Sequence, residues 1–317
     1  MFGLDLGNKA SVLAVVTESG AADTLPNAIG SRTTPTAVGY GAQQRFLGEA
    51  AVAQKMTNCR NTIEGIPALL GRCTVDTDAV LSVTEAGGDG VRVIYRGAEV
   101  TIATQAVVGA FVGGIVRMAR ANSDLGAPEP AIVLAVPSYF SGVQRQSLHH
   151  AATVGGARVA NLCEEADATA LFYAHERLSN SAPAPDTLGV SAILFIDSGH
   201  NHTTAFLALF DRSARALRVV DQEVVLVGGR DFDRVLASKF EADFQLQKST
   251  PISSERARLR LLLEAEKAKE VLSANGSYNT MVEELQDGLD FSVSAQRIEL
   301  NSACDSASKS PQSVSAS

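Results

Sequence analysis

The chain opens on two short apolar runs, residues 2–5 and 11–16, set on either side of Gly7-Asn8, and this pattern predicts a β-hairpin. A further apolar run, Ala131 to Val136, stops at Pro137 and is followed by a helical pattern over Gln144 to Thr153. Cys163 to Leu178 also reads as helix, with Ala168, Leu171, Phe172 and Leu178 on one side. The uncharged stretch Val100 to Val116 reads as a strand end entering a buried helix, since it is too short and too rich in Thr, Gln and Gly to span a bilayer. Gly87 to Gly90 reads as a hairpin loop between strands at 79–84 and 91–95.

Residues 179–186 (SNSAPAPD) form the clearest linker. Beyond it, Ala192 to Ile196 predicts a buried strand, Gly199 centres a turn, and Thr204 to Phe210 and Ala216 to Val227 supply more strand before Gly228-Gly229. Helices are expected over Phe232 to Phe244 and Ser254 to Ala274, the second with a Ser cap, Glu255 in its first turn and Asn275-Gly276 as its stop. The last seventeen residues, Asn301 to Ser317, hold seven serines and offer almost nothing to bury, which predicts a disordered tail. Strand-rich and helix-rich segments alternate, an α/β signature.

Composition narrows the classes. The 317 residues are 45% apolar and 20% charged, as in a folded globular protein of about two domains. A net charge of -8 and 5% aromatic residues without Trp argue against a nucleic-acid partner, which needs a basic face or stacking platform. The four cysteines form no CxxC pair, and Met1 to Asp5 lack the basic start of a secretory signal, so the expectation is a reducing, cytoplasmic compartment with no membrane partner.

Phe2 to Asn8 and Phe195 to His200 share an apolar strand running into Asp-x-Gly, each followed by a short strand. A glycine in such a turn leaves backbone N–H groups open to phosphate oxygens, and the neighbouring Asp can hold Mg²⁺ through water. One copy is most simply a plain turn; two copies in matching contexts suggest a grip on polyphosphate from two sides. Gly228-Gly229 opens a helix and is either an anion site or a packing turn. Glu164-Glu165 either complete a metal or water site or complement a helix dipole. Glu266, Lys269 and Ser273 share a helix face that ordinary i,i+3 ion pairing also explains. His149-His150 and His200/His202 lack partners at ligand spacing and read as solvated histidines.

Taken in order, these segments resemble the ATPase domain of the heat shock protein 70 superfamily, most closely its heat shock protein 110 branch. The resemblance is carried by Gly3 to Asn8, Asn27 to Pro35, Phe46 to Ala51, Met56 to Asn58 with Asn61-Thr62, and Leu69 to Arg72. It continues through Ala135 to Phe140 with Gln144-Arg145, Ile196 to His200, Val227 to Asp233, and Glu264 to Asn275. It implies an α/β, actin-like two-lobed ATPase fold of duplicated ribonuclease H-like lobes. Lobe I would be residues 1–180, with a peripheral subdomain at 36–106; 181–190 would link it to a partial lobe II at 191–300, with the tail at 301–317.

The resemblance further implies ATP or ADP with Mg²⁺ as cofactors. Asp5, Glu165 and Asp197 map onto the catalytic and water-organising carboxylates, with Asp5 and Asp197 holding Mg²⁺ through water. Gly7, Asn8, Lys9, Gly199, Gly228 and Gly229 map onto phosphate contacts, and Glu266, Lys269 and Ser273 onto adenosine contacts.

Departures are as informative. Pro67 stands at the catalytic lysine, offering neither cation nor N–H. His200-Asn201-His202 and Thr204 replace the glycines, Thr and Asp of 70-type chaperones, Ala166 replaces a Pro, and Glu270 replaces the basic residue that stacks on adenine. The chain ends before the second adenosine-binding Gly-rich motif, the rest of lobe II and the substrate-binding domain. The expected function is a nucleotide-binding, 110-like co-chaperone or exchange factor for a 70-type chaperone partner, with weak or no hydrolysis. The alternatives are a degenerate or interaction-only fragment and, with nothing beyond the phosphate turns to favour it, a sugar-kinase-type phosphotransferase.

Overall fold

A computed structural model describes residues 1–17, 20–70, 90–121, 131–178, 189–211, 213–307 and 313–314. The chain separates into two compact units, one of Met1–Asp197 with Thr204–Val224, the other of Ser198–Thr203 with Val225–Ser313.

The first unit is built on the N-terminal hairpin, β1 (Phe2–Leu6) antiparallel to β2 (Ala10–Val16). β3 (Ala131–Val136) lies parallel to β1, placing Asp5 opposite Ala135, and β4 (Arg158–Glu164) lies parallel to β3. Parallel neighbours need a crossover. Here it contains α2 (Gly142–Val154), started by a capping box in which Ser141 and Gln144 satisfy each other's backbone N–H. With α1 (Thr104–Ala121), α2 covers the face of the sheet that carries Phe2, Leu4 and Leu6, and these residues form one buried core with Val108, Phe111, Ile115 and Leu148.

β5 (Val190–Ser198), β6 (Thr203–Asp211) and β7 (Ala216–Val225) form a second sheet in that order. One face packs on α3 (Glu165–Tyr173) through Ala166, Ala170, Phe206, Ala208 and Phe210, with Phe195 stacked on Phe206 at 4.8 Å between ring centroids.

In the second unit, α4 (Gly229–Lys248) and α5 (Glu255–Ala274) pack on a hairpin of β8 (Ser277–Gln286) and β9 (Leu289–Gln296). Leu236, Phe240 and Phe244 recur at i, i+4 and i+8 on α4 and meet Leu261, Ala265, Ala268 and Leu272 of α5.

Several sequence expectations are corrected. Cys163 and Glu164 end strand β4, paired with Ala135 and Val136 of β3, so the helix starts at Glu165, two residues later than expected. Its buried face is Ala166 and Ala170, whereas Leu171 and Phe172 are 61% exposed: on a nine-residue helix the small side chains allow the close approach of β6. β5 is not buried through; Leu194 and Ile196 are 63% and 72% exposed. The partner of the strand at Gly90–Tyr95 is Ala98–Ala103, turned at Arg96-Gly97, while 79–84 falls outside the described residues, as does the linker at 179–186. Residues 301–307 are not tail but the end of α6 (Arg297–Ala307), and Ser313–Val314 is a short strand beside β7.

Candidate functional site

The hairpin geometry puts Asp5 next to last in β1, two residues before Gly7, on the face opposite Leu4 and Leu6. It keeps solvent access, yet protein encloses it on its other sides. That burial pushes its carboxyl up from 3.8 to about 6, and the like charges of Glu165, at the start of α3, and Asp197, near the end of β5, push the same way. The structure therefore brings the three sequence-predicted carboxylates into one electrostatic neighbourhood. Among the described residues no group of three His, Cys, Asp or Glu side chains stands close enough to ligate an ion together.

The turn after β1 is braced from two directions. Asn8 is 8% exposed, and its Oδ1 accepts the Ala68 N–H at 3.1 Å. Lys9, exposed itself, accepts the Thr36 N–H at its carbonyl (3.0 Å), and the buried hydroxyls of Ser11 and Thr36 meet at 2.7 Å. Gly7 is required because a Cβ there would lie 2.4 Å from the Ala10 carbonyl oxygen. Sequence reasoning had no signal for Ala68, which lies sixty residues from Asn8 in the chain.

Pro67 is buried within a 3₁₀ turn, Ile66–Leu69, whose side chains all face the core. Where the resemblance calls for a cation, this chain has an apolar plug. Gln144 Nε2 donates to the Leu70 carbonyl at 3.2 Å, tying that segment to α2. Arg145 holds the Pro137–Phe140 segment, donating to the carbonyls of Ser138 (3.2 Å) and Phe140 (2.9 Å) and pairing with Glu164 at 2.8 Å.

The second turn repeats the first. Gly199 N–H donates to the His202 carbonyl at 2.9 Å, and a Cβ on Gly199 would lie 3.3 Å from that oxygen, the counterpart of Ala10. Gly228 packs so tightly that a Cβ would sit 2.5 Å from the His200 carbonyl oxygen.

At the start of α4 the expected anion-binding N–H groups are spent internally. Gly228 N–H donates to Asp231 Oδ2 (2.8 Å), Gly229 N–H to the Gly199 carbonyl (2.9 Å) and Arg230 N–H to the His200 carbonyl (2.9 Å). In this structure the Gly pair packs against the second loop.

On α5, Lys269 pairs with the buried Asp233 at 2.6 Å and donates to the Gly229 carbonyl at 3.0 Å, so its ammonium bolts α5 to the beginning of α4. Ser273 donates to the Glu270 carbonyl of its own helix at 2.6 Å, and Glu266 is partly exposed one turn before Lys269.

Two strand–turn–strand copies, parallel strands linked by a helical crossover and a carboxylate at each turn define the class: this is the actin-like ATPase fold, mixed α/β. The family model described as Hsp70 protein matches residues 1–314, and the chain belongs to the Hsp70 family. It is 31% identical over 303 residues to heat shock 70 kDa protein 16 of Arabidopsis thaliana, covering 91% of this chain and 38% of that protein. A heat shock protein homolog of Lachancea kluyveri is 29% identical over 311 residues, 94% of this chain and 44% of its own length. The putative heat shock 70 kDa protein 7 of Homo sapiens is 29% identical over 95% of this chain and 82% of its own. The chain thus spans less than half the length of the first two relatives.

Proposed function

We propose that this chain binds ATP or ADP together with Mg²⁺ and hydrolyses ATP weakly or not at all, acting as a 110-like co-chaperone or nucleotide-exchange factor for a 70-type chaperone. The observation that carries the reading is the convergence of Asp5, Glu165 and Asp197: burial first, and then the like charges of the other two, raise Asp5 to about 6. Carboxylates left in one another's field suit a hydrated divalent cation, which keeps its waters and needs few direct ligands. When bound, Mg²⁺ would supply the countercharge for the nucleotide phosphates. Asp5 and Asp197 would orient its waters and Glu165 would accept a proton from a water in the same shell. Gly7, Asn8 and Lys9 of the first unit would contact the phosphates. For Gly199, Gly228, Gly229, Glu266, Lys269 and Ser273 of the second unit the phosphate and adenosine roles are what the resemblance implies, although the N–H groups of Gly228 and Gly229 and the Lys269 ammonium already have partners within the chain.

The buried Pro67 is the reason to expect little turnover. A missing cation at a developing phosphoryl charge costs on the order of a few kcal/mol of barrier. The free thiols of Cys59 and Cys163 support a reducing compartment, hence the cytoplasm, and no helix among the described residues is long and apolar enough to cross a membrane.

Calorimetric titration with Mg-ADP tests the binding claim, and heats that saturate, and that disappear in EDTA, are the expected result. Absence of heat at high micromolar protein overturns it. An interaction-only fragment is the second reading, favoured by the open apolar face at Leu194 and Ile196. A cooperative melting transition raised by nucleotide rules it out.

A further inference from the structure

The Asn8 side chain has two ends, and the structure decides which one faces outward. A backbone N–H can be met only by an acceptor, so the Ala68 N–H at 3.1 Å fixes Oδ1 toward the 3₁₀ turn. The Nδ2 group is then turned the other way, and among the described residues no acceptor meets it. A nearly buried amide with two uncommitted N–H donors thus stands in the turn that follows Asp5. Its position is stiff. The Lys9 carbonyl is held by Thr36 N–H, Ser11 and Thr36 are hydroxyl-bonded below it, and the turn at 66–69 that carries Ala68 is packed in the core.

We propose that Ala68 is a positioning residue, and that its N–H orients Asn8 so that Nδ2 donates to a phosphate oxygen of a nucleotide. The segment at 65–70 then acts on the phosphate through one backbone N–H and an amide relay rather than through a side-chain cation. Pro67 fits this arrangement. It fixes the backbone of the 3₁₀ turn one residue before the donor, and the Ala68 N–H is shared between the Gly65 carbonyl (3.1 Å) and Asn8. An oriented neutral donor recognises an anion without adding charge, so it supports binding more than hydrolysis. The inference rests on the nucleotide-binding reading above.

Two substitutions separate the roles. Asn8→Asp keeps the acceptor for Ala68 but replaces the outward donor with a carboxylate; Asn8→Ala removes both ends. In the full chain, amide exchange at Ala68 is read by NMR and ADP affinity by calorimetry, with and without Mg²⁺ so that metal recruited by the new carboxylate does not mask a loss. Asn8→Asp is expected to keep Ala68 protected while ADP affinity falls about tenfold or more, since a donor to an anion is exchanged for a like charge. Asn8→Ala is expected to speed Ala68 exchange, the Gly65 carbonyl being left as its one acceptor, and to lose affinity at the same time, with the far-ultraviolet spectrum unchanged. Affinity within about twofold of the unsubstituted chain in Asn8→Asp, or unaltered Ala68 exchange in Asn8→Ala, overturns the proposal. If the unsubstituted chain binds no ADP, the nucleotide reading falls by itself. Inorganic pyrophosphate titrated against the Asn8 side-chain NH₂ resonance then decides the donor, and an unmoved resonance overturns it as well.

Discussion

The two Asp-x-Gly hairpins are the same local structure under different cover. In each, an apolar strand delivers an aspartate, a glycine turns the chain, and the carbonyl three residues on, Ala10 or His202, closes against that glycine. Aligned on the glycines, Phe2 and Leu4 of the first copy correspond to Leu194 and Ile196 of the second. Leu4 is 1% exposed beneath α1 and α2, whereas Ile196 is open to solvent. The turn is therefore a local property of its own residues, set by Gly sterics and one hydrogen bond. Burial of the strand behind it is a property of what packs there, and among the described residues nothing packs on the Leu194–Ile196 face.

The largest test of this contrast is a pair of truncations. Leu4→Ala is expected to cost about 2–5 kcal/mol, through lost transfer energy and the cavity left in a core that cannot collapse. Ile196→Ala is expected to cost less than about 1 kcal/mol, because the methyls removed already touch water. Urea unfolding monitored by circular dichroism measures both. Equal losses would mean that the second face is covered in solution.

A smaller difference separates the glycines. Alanine at Gly7 puts a Cβ 2.4 Å from a backbone oxygen, and backbone must move, so about 1–3 kcal/mol is expected. At Gly199 the corresponding distance is 3.3 Å, and a shift of a few tenths of an ångström relieves it, so the cost is expected to stay below about 1 kcal/mol. The same denaturation series ranks the two, and a reversed order would show that the second turn is the stiffer one.

What could be read from the chain follows the same division. Period, caps and turn residues placed the first hairpin, β3, α2 from Gln144 onward, and α5 with its Ser254 cap, because each of these is decided within a few residues. The aspartates of the two copies were legible as a repeat. Which face of α3 is buried was not, since Leu171 and Phe172 are the more apolar choice and lose to Ala166 and Ala170 on closeness of approach to β6. The open side of β5 reads as core because its composition is that of core. The Asn8–Ala68 bond and the Lys269–Asp233 pair join residues far apart in sequence whose types are common everywhere, so no local pattern could announce them.

The subtlest test concerns charge in the first copy. Asp5 is raised from 3.8 to about 6, so the folded chain holds a proton there that the unfolded chain releases at lower pH. Between those two values the native state binds more protons than the unfolded state, and stability falls as pH rises through that window. Below about pH 4 both states are protonated at this group and the penalty is absent; above the folded value it is complete and constant. Asp5→Asn removes the ionisation while keeping the shape. It is therefore expected to be more stable than the parent near neutrality, with the advantage shrinking through the window and vanishing at its acid end, while Mg-ADP binding weakens. Urea midpoints at three pH values decide it. An Asn variant less stable than the parent near neutrality would mean that the Asp5 carboxylate already has a favourable partner in solution, and that the cluster with Glu165 and Asp197 is not waiting for a cation.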